Sequence, residues 1–418
     1  MKNKSFYIIL ISIFLAIVAG IYSGTESGIF GVTFYSIYDT IGKLFLNGLM
    51  LLVIPLVSSS IITGISQMGS EKKFAKIGLK TVIVFASLNL LAVATAWLLL
   101  SFFQNSFFAS ADALKPALAA QSSMAPTLAS EGSPIAQLLF NIIPPNIFAA
   151  FAESQILGII FFSIIFGLAI GKIDIMPARV LKSFAQGVFQ TMMFLTHKFM
   201  LFLPLGVFCL IAKTFASTGI ETVRLLGYFS LVIIAGLLIL FFIVMPLVLR
   251  FVAKVNPLLH YKAMLPAIIT AFSTSSSSAT LPITIDCLEK NANVSNKITS
   301  LVTPLASSVN LMGTALFVFL TSTFLAKASG MVIDFPTQIL IFLLTFLTTF
   351  GVAPIPSGCL VSTMIVLKAL GLPVELIAPI FAIDRFLDMI RTSTNVFGAS
   401  VSTVTVGKLV GEKNILKA

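Results

Sequence analysis

Charge is scarce in this sequence. Of its 418 residues only 10% are Asp, Glu, Lys or Arg, against about 25% in a soluble domain, and 58% are hydrophobic. A water-solvated globule is excluded, and a bilayer is the solvent that fits. Cysteine and histidine are also few. Cys209, Cys287 and Cys359 lie in apolar context without pair or ligand spacing, and His197 and His260 form no metal motif, so neither a disulfide nor a structural metal is expected. There is no phosphate-binding loop and no nucleophile with a neighbouring base, which argues against an enzyme. The formal charge of +11 sits in turns between apolar runs. It reads as membrane topology, with no call for a nucleic-acid partner.

Apolar stretches long enough to span run at about 6–24, 41–64, 78–103, 136–170, 184–216, 223–253, 296–326 and 375–407. Lys2 and Lys4 precede the first, but no small-residue cleavage site follows it, so 6–24 is kept as a span. Basic residues follow the even-numbered spans: Lys72, Lys73, Lys76 and Lys80; Lys172, Arg179 and Lys182; Arg250, Lys254 and Lys262; Lys408, Lys413 and Lys417. Even spans therefore end inside, and both termini are expected in the cytoplasm of a cell with this protein in its inner membrane. Residues 104–134, rich in Ser, Ala and Pro, are expected as an external loop.

Two apolar segments are broken. The stretch from Ala263 to Cys287 is split by Ser273-Thr-Ser-Ser-Ser-Ser278 and by Pro282, and the stretch 334–372 by Gly351-Val-Ala-Pro-Ile-Pro-Ser-Gly358. Unpaired backbone in lipid costs several kcal/mol per group, so such breaks survive only where protein or water surrounds them. Two half-helices meeting at a serine tip satisfy that condition. The returning half is expected to begin near Ser277 or Ser278, with its N-cap and positive dipole end suited to a carboxylate. Paired broken segments in matching positions point to inverted repeats and to a midplane transport site. Between them, Ser307-Ser-Val-Asn310-Leu-Met-Gly313-Thr314 predicts a local unwinding of span 7 that exposes carbonyl oxygens.

The last span carries Asp384, Arg385, Asp388, Arg391, Thr392 and Asn395. Steps of four and three keep 384, 388, 391 and 395 on one stripe roughly 60° wide. That stripe cannot face lipid, because each buried charge costs at least ~2.5 kcal/mol at a helix centre. Asp388 suits a substrate ammonium, and the Arg391 fork suits a carboxylate. Arg385 points off the stripe and is expected to snorkel or to pair locally, and Asp384 is also open to a purely structural pairing.

Ser275-Ser-Ser-Ser-Ala-Thr-Leu-Pro282, Asn310-Leu-Met-Gly-Thr314, Gly351-Val-Ala-Pro-Ile-Pro356 and Asp384-Arg-Phe-Leu-Asp-Met-Ile-Arg-Thr-Ser-Thr-Asn395, in that order, resemble the glutamate transporter family of dicarboxylate/amino acid:cation symporters, over about 40–408. The resemblance implies an all-α polytopic homotrimer, each protomer with eight transmembrane helices and two re-entrant helical hairpins, working as an elevator. A scaffold (1–77 and 135–217) would hold a transport domain made of span 3 (78–103) and 218–418. Within 218–418 the resemblance places span 6, hairpin 1 at about 255–290, span 7 at about 296–326, hairpin 2 at about 334–372 and span 8 at about 375–407. It assigns an acidic amino acid to Ser276, Ser277, Thr314, Ala353, Pro354, Asp388, Arg391, Thr392 and Asn395.

The departures fall on cation sites. The positions the family uses for cations are, on this resemblance, Phe85, Leu88, Asn89, Ala306, Ser308, Asn310, Leu311, Met312 and Ala399. The family's two aspartates here are Met312 and Ala399. Hard cations prefer oxygen ligands, so little or no sodium dependence is expected, with transport either proton-coupled through Asp384 or Asp388 or uncoupled. No other cofactor is expected. The alternatives are an ordinary sodium- or proton-coupled symporter with carboxylates supplied from elsewhere, a neutral amino acid or C4-dicarboxylate substrate, and a substrate-gated anion channel.

Overall fold

The structure is a computed structural model, and it describes residues 2–29, 31–68, 72–119, 143–153, 155–218, 221–349 and 358–416. Helix α1 (Lys2–Ser23) leads into a two-residue hairpin of β1 (Gly28–Ile29) and β2 (Val32–Thr33). Gly31 sits in its turn at φ +79°, a conformation that glycine adopts without steric cost. There follow α2 (Phe34–Met68), α3 (Lys72–Ala119), α4 (Ile147–Ala152), α5 (Ile156–Ile170), α6 (Ile175–Phe199), α7 (Leu203–Thr218) and α8 (Glu221–Ile239). The remainder is α9 (Pro257–Thr274), α10 (Ser277–Asp286), α11 (Asn296–Val309), α12 (Met312–Ala328), α13 (Phe335–Thr349), α14 (Gly358–Ala369) and α15 (Phe381–Leu409).

Several boundaries differ from the sequence reading. Residues 104–119 of the expected loop are helical, because α3 runs unbroken for 48 residues, about 72 Å against a hydrocarbon core of about 30 Å. The stretch 136–170 is not one helix among the described residues: α4 and α5 are separate, and Asn146 caps α4 through its side-chain oxygen, which accepts from the amides of Phe148 and Ala149. Span 5 breaks into α6 and α7 at a 3-10 turn, Met200–Phe202, just before Pro204. Span 6 continues past α8 through π-helical turns at Leu240–Val244 and Val248–Val252. The last span opens with a 3-10 turn, Val374–Ile380, and is α-helical only from Phe381.

By length and composition, five helical stretches among the described residues could cross a membrane: Phe34–Ser66, Ile77–Asp112, Ile175–Ser217, Leu226–Val252 and Asn296–Ala328. The others are shorter, or, like α15, carry charge inside.

Packing sorts the elements into two sets. In the first, α1 lies along α7, and α2 lies along α5, α6 and α7. Glycine notches allow the approach: a Cβ at Gly206 would meet the Phe45 ring at 2.2 Å and one at Gly48 the Phe199 ring at 2.2 Å, and those two rings stack at 5.6 Å. Asp39 of α2 bridges Lys43 at 2.9 Å and the buried Lys213 of α7 at 2.7 Å. In the second set α12 is the axis, with α3, α13, α14 and α15 around it, and α9, α10 and α11 also pack on α15. Phe107, Phe229 and Phe324 from α3, α8 and α12 form one aromatic knot, with centroids 5.3 Å and 4.7 Å apart about Phe324.

Candidate functional site

The serine tip folds into a helix reversal at Ser275 and Ser276. Ser275 takes the left-handed conformation at φ 48°, and Ser276, one residue before the position read from sequence, is the N-cap of α10, its hydroxyl accepting from the Ala279 amide at 3.2 Å. Ser277, the first helical residue, is buried. The α9–α10 pair packs on α15, and the Ser393 hydroxyl donates to the Ile268 carbonyl at 3.4 Å.

Span 7 is unwound where its asparagine and glycine lie. Asn310 and Leu311 leave helical geometry (φ −99° and ψ about 70° at each), which separates α11 from α12. Neighbouring helices take up the groups so freed. The Asn89 amide nitrogen of α3 donates to the Val309 carbonyl at 3.2 Å, and that of Asn310 to the Gly398 carbonyl at 3.4 Å. Asn395 Oδ1 accepts from the amides of Gly313 at 2.8 Å and Thr314 at 3.3 Å, while its Nδ2 donates to Thr314 Oγ1 at 3.0 Å. One asparagine thus clamps the start of α12. The space there is tight: a Cβ on Gly313 would lie 3.1 Å from the Arg391 carbonyl and 3.2 Å from Asn395 Oδ1, so these neighbours would have to give by a few tenths of an ångström. Gly313→Ala is therefore expected to weaken substrate binding by about tenfold, roughly 1.4 kcal/mol, by displacing both groups. Calorimetric titration of the purified variant checks this, and an unchanged affinity would refute the clamp.

Arg391 is the centre of the buried charges. Its Nη1 lies 3.1 Å from Asp384 Oδ1 and its Nη2 2.5 Å from Asp388 Oδ1, and its guanidinium carbon sits 4.5 Å from the centroid of the Phe317 ring. All three charged side chains are nearly inaccessible, Arg391 at 2%. A buried pair of this kind holds only while each charge keeps a partner. Thr392 Oγ1 donates to Asp388 Oδ1 at 3.5 Å. Cys359, at the start of α14, donates its thiol to Asp384 Oδ1 at 3.4 Å. Arg385 does not snorkel: its side chain is 15% exposed and its Nη1 lies 3.7 Å from Asp388 Oδ2. The stripe accordingly brings Asp384, Asp388, Arg391, Thr392 and Asn395 together with Thr314. Ala353, Pro354 and the break Gly351–Pro356 lie outside the described residues.

The positions that the resemblance matched to cation ligands are apolar where it matters. Met312 is fully buried, and Ala399, Phe85, Leu88, Leu311 and Ala306 are each at most 3% exposed. A Cβ on Gly398 would lie 3.2 Å from Met312 Sδ and 3.2 Å from Met245 Cε, so thioethers fill the gap between α12 and α15. The Ser308 hydroxyl is turned back on the Pro304 carbonyl at 3.2 Å. Only the Oδ1 atoms of Asn89 and Asn310 are buried there without a hydrogen-bond partner among the described residues. Groups of three or more His, Cys, Asp or Glu able to hold a metal are absent among the described residues.

Sequence reasoning missed three contributors. Phe317 lies one turn beyond Thr314, a spacing that could have found it. Cys359 follows directly on the second break, but nothing local marks its approach to Asp384. His260 of α9, fully buried, meets Ser400 of α15 at 2.9 Å and lies beside the Phe397 and Tyr261 rings, which stack at 4.5 Å.

Long apolar helices around a buried, internally paired charge network are the build of a multi-pass membrane transporter. Comparison with known proteins narrows the class. The chain matches the Sodium:dicarboxylate symporter family over residues 9–409, and it belongs to that family. It is 33% identical to the proton/sodium-glutamate symport protein of Bacillus caldotenax over 408 residues, 96% of this chain and 94% of that one. Identity to the proton/glutamate-aspartate symporter of Escherichia coli (strain K12) is 30% over 416 residues, 98% and 94% of the two chains. To excitatory amino acid transporter 1 of Ambystoma tigrinum it is 30% over 453 aligned positions, 94% and 82%.

Proposed function

We propose that this protein carries aspartate or glutamate across the cytoplasmic membrane without sodium, in symport with a proton. Relatives whose names specify glutamate and aspartate support the substrate. The carrying observation is the apolar filling at Met312 and Ala399 beside an intact Asp388, Arg391, Thr392 and Asn395. Arg391 takes the side-chain carboxylate, Asp388 the ammonium, and Asn395, Thr314, Ser276, Ser277, Ala353 and Pro354 the remaining polar groups. The substrate must part the Arg391–Asp388 pair to enter, and each member of that pair then finds an opposite charge on the ligand. A dicarboxylate offers no ammonium to Asp388, and a neutral amino acid leaves Arg391 without a carboxylate.

Charge balance favours the proton. Asp384, Asp388, Arg385 and Arg391 sum to zero, and an acidic amino acid adds one negative charge. A single proton on Asp384 or Asp388 restores neutrality for the crossing. In this reading α3, the helices from α8 onward and the two hairpins move as an elevator against a scaffold of α1, α2 and α4–α7, in a homotrimer with both termini cytoplasmic. The two packing sets support that division.

Uptake of labelled aspartate into proteoliposomes tests the reading. Replacing sodium by choline on both sides is expected to change the initial rate by less than about twofold, because no buried carboxylate remains at positions 312 and 399 to hold the ion. A requirement for an inward sodium gradient would falsify it in favour of the conventional symporter.

A further inference from the structure

Asp388 has a second cationic neighbour, on the side away from Arg391. Its Oδ1 is taken by Arg391, while Oδ2 has no hydrogen-bond partner among the described residues and faces Arg385 Nη1 at 3.7 Å. Arg385 and Asp388 are three apart on α15, so they share one edge of the helix whatever the conformation of the hairpins. At 15% and 7% side-chain exposure the two are poorly screened by water. The contact is looser than a hydrogen bond, so the arginine neutralises the carboxylate without occupying it.

We propose that Arg385 is the residue that sets how strongly this site demands an amino group on its substrate. The inference rests on the reading that Asp388 receives the ammonium of an acidic amino acid. A substrate ammonium approaching Asp388 is attracted by the carboxylate and repelled by the guanidinium behind it. Arg385 therefore lowers the gain from binding an amino group. A ligand with two carboxylates and no amino group still engages Arg391, and Asp388 is then left facing Arg385 in place of being stranded. Without that arginine, the same ligand would leave a buried carboxylate with no counter-charge, an outcome that costs far more than the pair contributes when intact. Arg385 touches no substrate atom in this arrangement; it is a specificity-determining residue acting through Asp388.

Aspartate and succinate differ only by the amino group, so the ratio of their dissociation constants, measured by competition against labelled aspartate in purified protein, isolates the effect. Arg385→Gln is expected to raise the preference for aspartate over succinate by about tenfold or more, and Arg385→Lys to leave it within about threefold of the unsubstituted protein. A purely structural arginine would weaken both ligands by one factor; an unchanged ratio, or a ratio that moves alike in Arg385→Lys and Arg385→Gln, overturns the proposal. Should Arg385→Gln bind neither ligand, Arg385→His decides. Its preference for aspartate should climb between about pH 5.5 and about pH 8.5 as the imidazole loses its charge, relative to the unsubstituted protein over the same range, and a parallel pH response is the overturning result. Binding of aspartate by the unsubstituted protein in sodium-free buffer separately tests the proposed function. If sodium proves necessary there, the ratio is measured with sodium present and still judges Arg385.

Discussion

Arg391→Leu is expected to lower aspartate uptake by at least about a hundredfold and to leave the chain less stable. The side chain holds both Asp384 at 3.1 Å and Asp388 at 2.5 Å, in a site where Arg391 is 2% exposed. Removing one member of a buried charge pair costs about 3–5 kcal/mol, because the partners stay buried without it, and every 1.4 kcal/mol is tenfold in affinity. Leucine preserves apolar contact with Phe317 but supplies no donor to either aspartate or to a substrate carboxylate. Arg391→Lys separates charge from geometry. Lysine restores one positive charge without the planar fork, so it should recover only part of the affinity, remaining about tenfold or more below arginine. Thermal unfolding of the detergent-solubilised variants, run beside uptake, reads the stability arm. Uptake of the leucine variant within tenfold of the unsubstituted protein would sink the assignment of Arg391 to the substrate carboxylate.

The second large effect concerns the proton. Asp384→Asn fixes that side chain in a neutral form of nearly the same shape, so a carrier that loads its proton there can no longer gain from an inward proton gradient. Accumulation of aspartate driven by an acidic exterior should fall by about tenfold or more, while binding at one pH should remain within about threefold, since asparagine still offers an oxygen to Arg391 Nη1 and to the Cys359 thiol. Retention of gradient-driven accumulation in this variant would place the proton on Asp388 instead. Failure of the unsubstituted protein to respond to the gradient at all would mean uncoupled exchange.

Much of the site was readable along one helix. Positions 384, 388, 391 and 395 recur at three- and four-residue steps, and a helix of any tertiary surroundings sets such positions on one edge. The reversal at Ser275–Ser276 and the unwinding at Asn310 were legible for a related reason: a run of serines and an asparagine beside glycine are poor helix interior, and their local hydrogen bonding favours caps and breaks. The helix limits were less accessible. The Ala- and Ser-containing stretch after Phe103 reads as loop by composition, yet α3 continues to Ala119. Contacts such as that of Lys327 with Asp112 at 3.5 Å and the Phe107–Phe324 pair give this extension a partner that local propensity does not include.

By itself the sequence determined that the chain lives in a bilayer and where its polar stripe lies. These follow from composition and helical period, which are local properties. Tertiary structure alone decided who meets whom. Asn395 clamps amides 81 and 82 residues away, Asn89 caps a carbonyl 220 residues away, and the Lys80 ammonium reaches the Leu409 carbonyl at the end of α15. A buried polar group must find a partner or lose several kcal/mol, and which partner is within reach depends on helices that sequence spacing does not relate.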